Sequence, residues 1–136
     1  IVAGMMLQQG RPAWVLLIAG FVLMMLGGVL TFAGEGFLPF SVRYSGVLLF
    51  SACGGLIPGV VFAYVVYLAP SQQTVASTMG WVQQWSALGQ FSLPPLMGSL
   101  VMWWGSWRNA WLVCVALGVV GIICALGIRR LVNRLA

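Results

Sequence analysis

Three glutamines, Gln83, Gln84 and Gln90, stand in the stretch GWVQQWSALGQFSLPPLMGS (80–99), which is otherwise apolar or small apart from its serines and carries a double proline. An amide donates and accepts hydrogen bonds, so its chemistry is bonding between helices or recognition of a polar solute, not proton transfer. At about 100° per residue, Gly80, Gln83, Gln84, Ala87, Gln90 and Pro94 share an arc of roughly 120° on a helix. Trp81, Trp85 and Leu88 fall away from that arc. Two tyrosines, Tyr64 and Tyr67, add hydroxyls nearer another helix end. The remaining inventory is short: one carboxylate, Glu35, no histidine, and three cysteines, Cys53, Cys114 and Cys124, all inside apolar runs. Membrane-embedded enzymes need carboxylates, histidines or a nucleophile with its base. The expectation is therefore a protein that is not an enzyme and uses no metal and no cofactor. The cysteines read as small apolar residues.

The chain of 136 residues is 62% hydrophobic and 5% charged, with six arginines and no lysine. A soluble domain carries about 25% charged residues. Apolar runs of about twenty residues match the thickness of a bilayer. The reading is an all-α, polytopic membrane protein. The net charge of +5 does not point to nucleic acid, because the arginines sit at the ends of apolar runs rather than in a basic patch.

Four spans are expected, at about 12–33, 44–68, 75–104 and 107–128, with 129–136 as a tail. Residues 1–10 open on IVAGMML without a methionine, and read as the end of a preceding helix in a piece of a longer chain. Short connections make neighbouring spans antiparallel. Arg11, Arg129, Arg130 and Arg134 then share one side, and Arg43, Arg108 and Glu35 share the other. The positive-inside rule makes the first side, and the C-terminus, cytoplasmic. Trp103, Trp104, Trp107 and Trp111 form part of an aromatic belt at the opposite interface. The localisation expected is multi-pass in the cell's inner membrane.

Helices in lipid associate through close backbone approach, which small residues permit. The second span offers Ser51, Gly55, Gly59 and Ala63, four apart. The fourth offers Ala110, Cys114, Gly118, Gly121 and Ala125, and the first offers Gly20, Gly27 and Gly28. Pro58 lies inside the second span and Pro94 inside the third, where proline removes a backbone donor and kinks a helix. An amide facing lipid would go unsatisfied at a cost of several kcal/mol, so the glutamine stripe is expected to face other helices or a cavity.

Gly80, Gly89, Pro94 and Gly98 resemble the G-x8-G-x3-G-P-x2-G-G pattern of major facilitator superfamily transporters. Leu93 and Met97 stand where that pattern has glycine. GMMLQQGRP (4–12) is similar to the family's G-x3-D-R-x-G-R loop with one residue missing and Gln8 in place of aspartate. GGLIPGVVFAYVVYLAP (54–70) looks like the tenth helix of many members. The resemblance implies helices nine to twelve of a twelve-helix fold. Helices three to six fit the same topology, but the degraded motifs and the arginine-rich end favour the C-terminal half. It implies secondary transport of a small solute by alternating access. It also implies partners: the lipid bilayer, an N-terminal half of the same transporter, and the solute. Gln83, Gln84, Gln90, Tyr64 and Tyr67 would line the cavity. Pro58, Gly80, Gly89, Pro94 and Gly98 would serve bending and close packing. The alternative is a small four-helix accessory or structural membrane subunit without transport activity of its own.

Overall fold

The computed structural model describes residues 4, 5, 7, 9, 10, 12–69 and 71–135, with backbone only for residues 67, 68 and 135. Arg11 and Gln8, which bear on the orientation and on the loop resemblance, lie outside them. Gly4, Met5 and Leu7 are helical. That turn ends where Gly10 takes a left-handed φ of 77° and its N–H donates to the Leu7 carbonyl at 3.0 Å.

Pro12 then stands as the cap of α1, Ala13–Gly28, a position where its missing N–H costs nothing. The helix continues as a π-helical turn, Val29–Ala33. There the Thr31 hydroxyl donates back to the Gly27 carbonyl at 2.7 Å, a competitor for the backbone ladder. Helix α2, Phe40–Leu68, begins four residues before the expected start. Pro39 sets the first turn, and its carbonyl accepts from Val42 and Arg43 at 3.1 and 3.2 Å. Arg43 thus belongs to the helix, and its Nε donates to the Thr31 carbonyl at 3.1 Å, supplying a donor where the π turn disturbs the pattern.

Helix α3, Val75–Trp104, keeps the expected bounds. Gly105 at φ 69° ends it, the left-handed position glycine adopts without strain. A short 3₁₀ turn, Trp107–Asn109, leads into α4, Ala110–Leu135. The expected tail is a correction: the helix runs through Arg129, Arg130 and Arg134 to Leu135. Arginine is a good helix former, no Gly or Pro interrupts it after Gly127, and cations suit the last turn.

The described residues form helices and no strand. Ala13–Ala33, Phe40–Val66 and Trp107–Arg134 are long and apolar enough to cross a membrane, which marks a membrane-embedded protein. Helix α3 is as long, but its glutamines, serines and prolines make it more polar.

α1 is the middle helix, antiparallel to both α2 and α4. A Cβ on Gly27 would lie 2.7 Å from the Gly46 carbonyl oxygen and 2.8 Å from the Phe50 nitrogen, so the α1 and α2 backbones touch. One on Gly28 would lie 2.9 Å from the Cys114 Cβ of α4. Farther along, Met25 covers Gly118, Phe21 covers Gly121, and Ile57 covers Gly20. The buried cluster is Ala13, Leu16 and Leu17 of α1, Val60 of α2 and Ala125 of α4. The small residues expected on the first and fourth spans are therefore the ones used. Of those expected on the second, Ser51 and Gly55 are not: both are exposed, and Gly55 has open space beside it. The contact face of α2 instead runs through Gly46, Phe50, Ile57 and Val60, because Gly46 is the residue that meets Gly27.

These geometries separate two glycines. Gly27→Leu must push α1 from α2 and should destabilise the folded protein by about 1–3 kcal/mol or more, as overpacking does. Gly55→Ala should change stability by less than about 0.5 kcal/mol. Unfolding of both variants in detergent, followed by circular dichroism, checks the contrast.

Candidate functional site

The amides stand on the helix least engaged with the rest. Val101 is the buried residue of α3, while Trp81, Trp85, Phe91, Met102 and Trp103 are all more than half exposed. Gln83, Gln84 and Gln90 are exposed as well. Ser77, Gly80, Gln83, Gln84 and Ala87 do share one face, where they line a shallow open groove. Trp81 lines it too, against the expectation that it falls away; a tryptophan is wide enough to reach across about 60° of helix surface to the residues above it. The three-helix bundle does not cover these amides. Gln90 instead donates from Nε2 to the Ser86 hydroxyl at 3.1 Å, a bond within its own helix one turn back.

The other expected residues separate. Tyr64 packs against the cluster of α1, α2 and α4. Tyr67 lies in the α2 helix, and its side chain is outside the described residues. Pro58 is exposed in the middle of α2, and Pro94 and Pro95 are exposed within α3. Both helices continue through their prolines. A proline cannot donate to the carbonyl four residues back, so the carbonyls of Gly54, Gln90 and Phe91 lose their usual helical donor. Gly80, Gly89 and Gly98 have open space where a Cβ would stand, and no described residue approaches them closely.

A second space is of different character. A cavity of about 380 Å³ lies where all four helices meet. α1 forms its floor with Phe21, Met24 and Gly28, α2 and α4 its sides, and α3 its roof through Leu93 and Met97. These last two are the positions where the sequence departs from the glycines of the pattern noted above. The sequence offered no way to find this cavity, because its walls are ordinary apolar residues from four separated segments. Polar stripe and apolar cavity are different places on the molecule.

The ends of the bundle carry the charges. The Arg129 guanidinium lies over the Trp14 ring, 4.4 Å from its centroid, joining the end of α4 to the start of α1. At the other end Arg108 lies 5.5 Å from the centroid of Phe37, and Phe32 stacks on Trp107 at 6.4 Å. Arg129, Arg130 and Arg134 therefore share an end, with Arg43, Arg108 and Glu35 opposite.

Comparison with known proteins adds no relative: no protein family, curated protein or solved structure matches this chain.

Because the amides hold α3 to nothing in this bundle, Gln83→Leu, Gln84→Leu and Gln90→Leu should each alter the thermal stability of the chain by less than about 0.5 kcal/mol, as exposed substitutions do. Val101→Ala should cost more, because it empties a buried position. Melting curves of the four variants in one detergent decide it.

Proposed function

We propose that the chain is part of a secondary transporter of the major facilitator kind, in which α3 and α2 border a polar pathway and α1 and α4 are scaffold. The observation that carries this reading is the amide stripe of α3, exposed along one face of a helix as long as a bilayer is thick. Three amides along one helix need water, a solute or further helices beside them, because hydrocarbon leaves an unpaired amide group unsatisfied at several kcal/mol. The division of the bundle supports the same reading. α1 and α4 meet through glycines and apolar side chains, whereas α2 and α3 carry the internal prolines. Helices with freed carbonyls and small residues are those that bend and line cavities in transporters. Membrane-embedded acids or bases that couple ions to transport would come from outside this chain, since Glu35 lies in the connection between α1 and α2.

The pathway is tested without knowing the solute. With Cys53, Cys114 and Cys124 replaced by alanine, Gln83→Cys, Gln84→Cys and Gln90→Cys in the full-length protein should react with a water-soluble thiol reagent in membranes. Trp85→Cys, exposed on α3 but off the amide arc, should resist it. Modification of none of the three glutamine positions, alongside reaction with a lipid-soluble maleimide, sinks the proposal.

Orientation belongs to the same proposal, with the end holding Arg129, Arg130 and Arg134 cytoplasmic. In intact cells Gly36→Cys should be labelled by an impermeant reagent, and Ser71→Cys should be labelled only after permeabilisation. The opposite pattern reverses the topology.

A further inference from the structure

The cavity beneath α3 sits at the depth of the membrane-spanning segments, yet it has no use for water. Thr31 is the hydroxyl in its wall, and that hydroxyl already donates to the Gly27 carbonyl at 2.7 Å. A buried water needs two to four polar partners, and the other lining side chains are hydrocarbon, aromatic, thioether or thiol. Its volume of about 380 Å³ is far beyond the voids that a packed interior leaves empty, and falls in the range of ligand sites, roughly 300–1,000 Å³. Nor is it sealed. Val47 of α2 and Leu117 of α4 line it and are 44% and 47% exposed. Its mouth is thus continuous with the apolar outer surface of the spanning helices, where Leu23, Leu26, Val120 and Ile123 are exposed and the surrounding medium is lipid.

We propose that this cavity is a binding site for a hydrocarbon chain, and that its occupant is the acyl chain of a membrane lipid, entering between α2 and α4 and lying between the α1 floor and the Leu93–Met97 roof. The chain fills the space that holds α3 off α1. Large side chains at 93 and 97 keep the roof raised; glycines there would let the α3 backbone descend and close the site. The occupant is chosen by solvation: a hydrocarbon lining open to hydrocarbon solvent is filled from that solvent, and a polar solute finds no free partner inside.

The test uses the full-length protein in phosphatidylcholine vesicles containing a fraction of lipid with a diazirine at mid-acyl chain. After irradiation, adducts are mapped by mass spectrometry. Met24 and Phe50, half-buried and facing the cavity, should carry adducts. Val47→Trp, which fills the mouth, should lower those adducts at least tenfold while leaving those on Val120 and Ile123 unchanged. Val113→Phe fills the same space from α4 and serves if the first variant does not fold. Adducts confined to Val120, Ile123 and other outward residues overturn the proposal. So do cavity adducts that persist undiminished in a folded filling variant.

Discussion

The backbone contact between Gly27 and Gly46 is the constraint on which the rest of the arrangement depends. In lipid there is no hydrophobic force between apolar helices, so association comes from van der Waals contact over closely approaching backbones. At this crossing Gly27 faces the backbone of Gly46 and Phe50 directly, while Gly46 lies under Leu30 and Thr31 as well as the Gly27 carbonyl. The next residue, Gly28, points about 100° farther round α1 and meets Cys114 of α4. Two consecutive glycines therefore serve two different neighbours. That makes α1 the middle helix and puts α2 and α4 on its flanks. The Thr31 hydroxyl bond, the π turn and the Arg43 bond to the Thr31 carbonyl all cluster within two turns of the same crossing. The end of α1 is shaped by how closely α2 approaches it.

Once α2 and α4 are fixed on α1, a groove remains between them. α3 crosses its mouth and reaches in with Leu93 and Met97. Side chains of that size bridge the distance without filling the space, and the cavity is the remainder. The double proline follows immediately after Leu93, so the helix is deprived of two internal bonds where it touches the bundle. The rest of α3 is held by little besides its connections and Val101. Its polar and aromatic faces are both left to whatever lies beyond the chain.

A helix with amides on one face and aromatic rings on others is costly to leave surrounded by hydrocarbon and too apolar to leave in water. That conflict gives the transport reading its force, since a pathway between helices satisfies both faces. The bundle of α1, α2 and α4 presents no such conflict. There the Thr31 and Ser45 hydroxyls donate to carbonyls one turn back, and Arg108 and Arg129 sit at opposite ends over aromatic rings.

The sequence by itself determined the class and most of the helix boundaries. Apolar runs bounded by Pro12, Gly105 and the short polar connections have only one low-energy form in a membrane, because every backbone group must be bonded within the segment. The bounds of α3 were legible to the residue. Those of α2 and α4 were missed at ends where arginines sit inside the helix, since a hydropathy pattern stops at the first charge and helix propensity does not. The common face of Gly80, Gln83, Gln84 and Ala87 was legible too, because 3.6-residue periodicity is a local property. Which small residues make contacts was not. Ser51, Gly55, Gly59 and Ala63 are as regularly spaced as any set in the chain, yet Ser51 and Gly55 are exposed and α2 turns Gly46 and Phe50 to α1. Spacing describes a face, and only the fit of two particular surfaces decides which face is used. The cavity is the clearest case. Its walls come from four segments scattered between Phe21 and Gly118, and its existence depends on the distance between α1 and α3, a quantity that no local pattern contains.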